Sequence, residues 1–263
     1  AQPYGMLPMQ GVERVEMSGV EVHTDCPLPD VGETAPVYYA APWTEANCDE
    51  YARPLLTALG EDFDAMEAER SEYRVDYTDP VHHSNLQVLF LGGFRALYQN
   101  QSGATEPAPA TASREEVLQK LRSLGIPLPD RADFSTEAEA YCFTADGVED
   151  GVLYQGQVTC TYREDGQILS LSDELAAVPQ SGEVSICPPE KAVEQVRDGK
   201  FLDTDGRLSA GRSVEEGGVV RSDIDTLTIQ RITLAYLRDT KDYYQPVYAV
   251  KTDKGILYTL ATQ

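Results

Sequence analysis

The stretch CDEYARPLLTALG, residues 48–60, places Cys48, Tyr51, Ala52, Leu55, Leu56 and Leu59 at intervals of three and four. That spacing lines one face of an α-helix with apolar side chains. Asn47 stands where a cap is needed, with Glu50 three residues on, and Gly60 follows as terminator. Pro54 removes an interior hydrogen bond and predicts a kink or a late start. The pattern returns twice. Ser113 and Glu116 form an S-x-x-E capping box ahead of Val117, Leu118, Leu121 and Leu124, with Gly125 and Pro127 ending the run. Pro188 and Pro189 open a third helix, which turns Ala192, Val193 and Val196 inward and stops at Gly199.

Each helix is followed by strand-like sequence. Residues 73–77, 86–91 and 94–98 follow the first, residues 140–144, 152–162 and 167–171 the second, and residues 227–237, 245–251 and 256–261 the third. Asp165-Gly166 and Lys254-Gly255 supply tight turns. Further strands are expected at 12–17 and 37–40. The expectation is therefore an α+β fold of repeated helix-plus-antiparallel-sheet (α-β-β-β) units, each helix covering its own sheet. The 15 tyrosines against 6 phenylalanines suit sheets with one wet face, since a tyrosine buries its ring and solvates its hydroxyl. Residues 99–112 are rich in alanine, proline and small polar residues, without periodicity. They suggest two domains: 1–99 and 113–263, joined by a linker at 100–112. The second would hold two tandem units, 113–182 and 183–263, with residues 202–224 as a long loop in the last.

Composition removes several functions. The chain of 263 residues carries 44 acidic against 21 basic side chains, a net charge of −23. Such a polyanion repels nucleic-acid backbones and anionic membranes. No apolar run is long enough to cross a membrane as a helix. No P-loop, G-x-S-x-G, G-x-G-x-x-G or H-E-x-x-H occurs. Adjacent His82 and His83 would point apart in a strand, although Asp79-Pro80 announces a turn. Asp203-Thr-Asp205-Gly206 fails as a calcium loop, because Arg207 and Val214 fall where oxygen ligands are needed. The five cysteines match neither zinc nor redox spacing. Cys142 with Cys160 and Cys26 with Cys48 are candidate disulfides; the first would close a loop of about 17 residues, a stabilisation of roughly 3 kcal/mol. The alternative leaves all five as buried small hydrophobes.

The last third resembles a known family. Ala192, Val193 and Val196 on a short helix are followed by Ile232-Thr-Leu234-Ala-Tyr236, Gln245-Pro246-Val247-Tyr248-Ala-Val250 and Gly255-Ile-Leu-Tyr258. This order, with its Pro-x-aromatic segment, resembles the PepSY-like and YycI-like extracytoplasmic regulatory domains of Gram-positive bacteria. The resemblance implies sheets wrapped around helices, display outside the membrane, and a role in protein contact or inhibition without catalytic residues.

The opening Ala-Gln-Pro-Tyr-Gly suits a chain that follows an export signal or a lipid-anchored cysteine. The expectation is thus a non-enzymatic extracytoplasmic binding or regulatory lipoprotein, without cofactor or metal, whose partner is another envelope protein or peptide. The aromatic doublets Tyr243-Tyr244 and Tyr38-Tyr39 are the candidate contacts. Two alternatives stay open: a cell-envelope glycan or peptide hydrolase, whose sign would be two carboxylates about 5 to 9.5 Å apart in a cleft, and a structural surface module.

Overall fold

The computed structural model describes residues 13–16, 21–24, 26–90, 93–102, 106–203 and 226–262. Of the loop expected at 202–224, residues 202 and 203 instead end a strand; its remainder, the rejected calcium pattern beyond Asp203 and the outer residues of the 12–17 strand lie outside the described residues. In chain order the described residues form strands β1 (Glu13–Glu16), β2 (Glu21–Thr24) and β3 (Thr34–Tyr39), then helix α1 (Glu45–Ala58). Strands β4 (Glu67–Arg70), β5 (Arg74–Thr78), β6 (Asn85–Leu89) and β7 (Arg95–Gln99) precede helix α2 (Arg114–Ser123). Next come β8 (Asp133–Glu137), β9 (Ala140–Glu149), β10 (Val152–Tyr162), β11 (Ile168–Asp173) and β12 (Ala176–Ser185). Helix α3 (Glu190–Arg197), β13 (Lys200–Asp203), β14 (Thr226–Arg238), β15 (Tyr243–Thr252) and β16 (Ile256–Leu260) complete the order.

The expected repeat of separate α-β-β-β units is not what the chain builds. Strand residues make up 49% of the described residues against 16% helix, and the strands join into large mixed sheets. The physical reason is visible at β7. Alone, a three-stranded sheet of β5, β6 and β7 would leave an edge of unpaired backbone groups at β7. Instead β7 pairs with β11, Leu97 facing Ser172 and Tyr98 facing Leu171. The first and second expected units thereby fuse.

Two compact units result, one contiguous (Ala41–Pro179) and one split between Ala1–Ala40 and Gln180–Gln263. The division does not fall at residues 100–112. Within that stretch Asn100 N donates to Leu169 O, Ala108 N to Tyr162 O and Ala112 N to the Tyr141 hydroxyl, so it is bonded into the contiguous unit.

In the contiguous unit the strands run β8-β9-β10-β11-β7-β6-β5-β4, all antiparallel. Alternation sorts the two faces: β5, β6 and β7 bury every second residue. The inward rows, among them Val75, Tyr77, Leu86, Tyr98 and Phe143, share one core with the apolar stripes of both α1 and α2. The other face carries Thr78, Asn85, Gln99, Ser170 and Thr161 in cross-strand register. Thr161 and Ser170 there hydrogen-bond at 2.7 Å.

In the split unit β15 lies between β14 and β16. The first residues of β15 pair with β3, and β3 pairs in turn with the second half of β12. β13 joins β16 to β1, and β2 adds to β14 in parallel. Ala192, Val193 and Val196 of α3 pack with Ile229, Tyr248, Val250 and Leu257 in a second core.

The helix ends obey capping chemistry. Ser113 and Glu116 form the capping box expected of them. Helix α1 starts earlier than its apolar stripe suggests, because Thr44 is the cap and Asn47 its reciprocal partner at the third helical position. The helix runs through Pro54 to Ala58, so a late start is excluded.

Candidate functional site

The two tyrosine doublets, 205 residues apart in sequence, meet in the split unit. Tyr243 is the cross-strand partner of Tyr39, and Tyr244 of Tyr38. Side chains of paired residues share a face, and neighbours along a strand point oppositely. One pair is therefore buried while the other reaches solvent. Tyr38 is fully buried and Tyr244 nearly so. Tyr38 meets Tyr236 edge-on, with ring centroids 5.0 Å apart. Burial raises the pKa of the Tyr38, Tyr236 and Tyr244 phenols above the ordinary value, keeping them protonated. Tyr39 is 38% exposed and lies against Tyr243, with centroids 4.7 Å apart and planes tilted by 33°.

The turn between β14 and β15 fixes this pair. Asp239 is fully buried. Its Oδ1 accepts from the backbone N–H of Lys241 at 2.8 Å and of Tyr243 at 3.0 Å, and its Oδ2 accepts from Gln245 Nε2 at 3.1 Å. Asp242 takes the left-handed backbone, φ 67°, and its carboxylate accepts from Arg238 Nε and Nη2. Ala40 N then donates to the Asp242 carbonyl. Every bond tightens the segment that carries Tyr243 against the end of β3. Sequence reasoning found both doublets but not their pairing, and it missed Tyr236 and Asp239; only Asp239, an Asp opening a turn, carried a local signal. Of the four candidate contacts, Tyr38 and Tyr244 are core residues, and Tyr39 and Tyr243 form the surface.

The candidate disulfides are not formed: all five cysteines are free thiols. Cys142 faces Thr159, so Cys160, one residue on, points through the opposite side of the sheet. Cys48 belongs to the core of the contiguous unit and Cys26 packs on the core of the split unit. Burial pushes the Cys48 thiol to about 11 and the Cys160 thiol to about 12, and raises Cys187 as well. None of these three is a thiolate nucleophile at neutral pH.

His82 and His83 sit in the turn between β5 and β6. Asp79 accepts from the N–H groups of Val81 and His82 and meets His82 Nδ1 at 2.9 Å. The His82 N–H and side chain hold the Asp79 carboxyl down at about 2, and Asp79 raises His82. Among the described residues no three His, Cys, Asp or Glu side chains are grouped to hold a metal ion.

No family model and no curated protein matches the chain. It is similar to the crystal structure of an uncharacterized protein from Eubacterium rectale ATCC 33656, with a TM-score of 0.47 and 13% identity over 89% of this chain and 80% of that one.

Proposed function

We propose that this protein is a non-enzymatic extracytoplasmic binding or regulatory lipoprotein that contacts another envelope protein or peptide through Tyr39 and Tyr243. One observation carries the reading: a ring pair held at the surface by strand pairing and by a turn whose buried Asp239 accepts three hydrogen bonds. Tyrosines fixed in this way lose little entropy on contact and offer both apolar area and a hydroxyl. The placement outside the membrane is supported by the resemblance of residues 192–258 to extracytoplasmic regulatory domains. The net charge of −23 favours a protein or peptide partner over nucleic acid. Among the described residues no helix is long and apolar enough to cross a membrane.

The test is photo-crosslinking in intact cells that carry the gene. A benzophenone amino acid replaces Tyr243, and in a control replaces Tyr73, which is exposed in the contiguous unit. The expected result is an adduct with one envelope protein from position 243 and none from position 73. Cells yielding no adduct from 243, or the same adducts from both positions, would remove the tyrosine pair as the contact.

A further inference from the structure

Three tyrosine–carboxylate bonds fasten α1 and the turn after it to the sheet of the contiguous unit. Tyr51 on α1 donates to Asp173 Oδ2 on β11 at 2.8 Å. Tyr77 on β5 donates to Asp49 on α1. Tyr98 on β7 donates to Glu61, just past the helix, at 2.8 Å. The helix needs these fastenings. It has 14 residues and contains Pro54, whose missing N–H leaves the Glu50 carbonyl without its intrahelical donor. Helices of this length are marginal without tertiary support.

The carboxylates differ in their surroundings. Asp49 also receives Arg70, whose Nη2 lies 2.9 and 3.0 Å from its two oxygens. Asp173 is 1% exposed, and its hydrogen bonds come from the Tyr51 hydroxyl and the Leu175 N–H. The elements around it bring no cation to it. Helix α1 presents Tyr51, β10 presents Val158 in register, and β7 presents Ala96. Neighbouring Arg95 is paired with Glu174 at 2.9 Å, and Glu174 adds a like charge beside Asp173. An ionised carboxylate in this position is desolvated without a counter-charge. On the sheet side, ladder hydrogen bonds to β10 and β7 close it off. The easiest route for water is to lift the helix that covers it.

We propose that α1 is a proton-controlled latch, seated on the sheet when Asp173 is protonated and lifting more often at the Tyr51 contact when Asp173 is ionised. Burial pushes Asp173 up to about 6 from the ordinary 3.8, against the opposing hydrogen bonds from Leu175 and Tyr51. Lifting restores the ordinary value. The proton's contribution to seating is therefore complete below about pH 4 and is lost as pH rises to about 6; above that both states are ionised and nothing further changes. Asp49 has the opposite sign. Burial pushes it up, but the Tyr77 hydroxyl and the Arg70 guanidinium outweigh burial and leave it below the ordinary value. Its contribution is present above about pH 4 and lost below. The two windows meet near pH 4, where the latch is tightest.

Hydrogen exchange of the full chain between pH 4 and 7.5, corrected for intrinsic rates, reads the latch directly. Opening at the α1 amides should rise about tenfold per pH unit from pH 4 to 6, roughly a hundredfold in all, and then level off. The α2 amides should not follow. In Asp173→Asn, whose amide can donate to the Tyr51 oxygen, α1 opening should be flat. Equal responses of α1 and α2, a flat wild type, or an unchanged slope in D173N would each overturn the proposal. A carboxyl carbon titration of Asp173 by NMR gives a second reading that needs no variant: a midpoint near 6 supports the latch, and one near 4 ends it.

Discussion

Gly156 shows how much one residue can decide in a sheet. It lies in the middle of β10 with φ +122°, where L side chains are strained. Before it β10 pairs with β12, and after it with β11. The Glu174–Leu175 connection crosses at this point, and a Cβ on residue 156 would sit inside the Glu174 carbonyl and 3.2 Å from Leu175 Cα. Both obstacles are backbone and neither can swing away. Gly156→Ala should therefore cost about 2–4 kcal/mol, combining backbone strain with overpacking, and urea unfolding should show it as a lower midpoint. An unchanged midpoint would mean that the connection does not run there. The sequence 152–162 announces a strand, and a glycine within it announces a bulge or a close approach. Nothing local says that residues 174 and 175 are what approaches. The cysteines make the same point. Whether Cys142 and Cys160 face each other depends on register, and a slip of one residue reverses the answer.

Among the elements, the helices were the most legible, because their determinants are local. Ser113, Glu116 and the apolar stripe through Leu121 place α2 correctly. The shift of the α1 cap to Thr44 is a competition between adjacent polar residues, Thr44 and Asn47, which sequence spacing alone cannot rank. Pro54 offers an energetic test of α1. It is exposed, so replacement disturbs no packing. Pro54→Ala returns an N–H to the Glu50 carbonyl and removes the ring's clash with the preceding turn, worth about 3 kcal/mol in a free helix. The unfolded chain regains freedom that proline had withheld, which offsets about 1 kcal/mol. The net expectation is a gain of about 1–2 kcal/mol in urea unfolding. A loss instead would show that the helix is already bent to accommodate the ring. The eleven strands expected from the sequence lie close to where they were expected, but β2, β4, β8, β12 and β13 were not foreseen, and neither were the strand partners. The sequence pointed β7 only to its neighbours in the chain, whereas it pairs with β11, from Gln99 with Ser170 to Ala96 with Asp173.

For the whole molecule the consequence lies in which segments fold together. The contiguous unit, Ala41–Pro179, contains every strand its sheet needs for the order β8 to β4 and both helices of its core. At roughly 140 residues it has the size of an ordinary domain. The split unit is built otherwise. β3 supplies partners to β12 and β15, β2 pairs with β14, and β1 with β13, so residues from both chain ends enter every part of it. Residues 180–263 alone would expose long edges of unpaired backbone where β3 and β2 belong. A fragment of residues 41–179 should thus fold by itself, with a single cooperative urea transition and the amide dispersion of a packed sheet. A fragment of residues 180–263 should not, until a peptide of residues 1–40 is added. If the 41–179 fragment binds hydrophobic dyes and melts without cooperativity, its core depends on the split unit. If 180–263 folds unaided, strand pairing with β3 is dispensable, and Tyr39 loses the register that sets it against Tyr243.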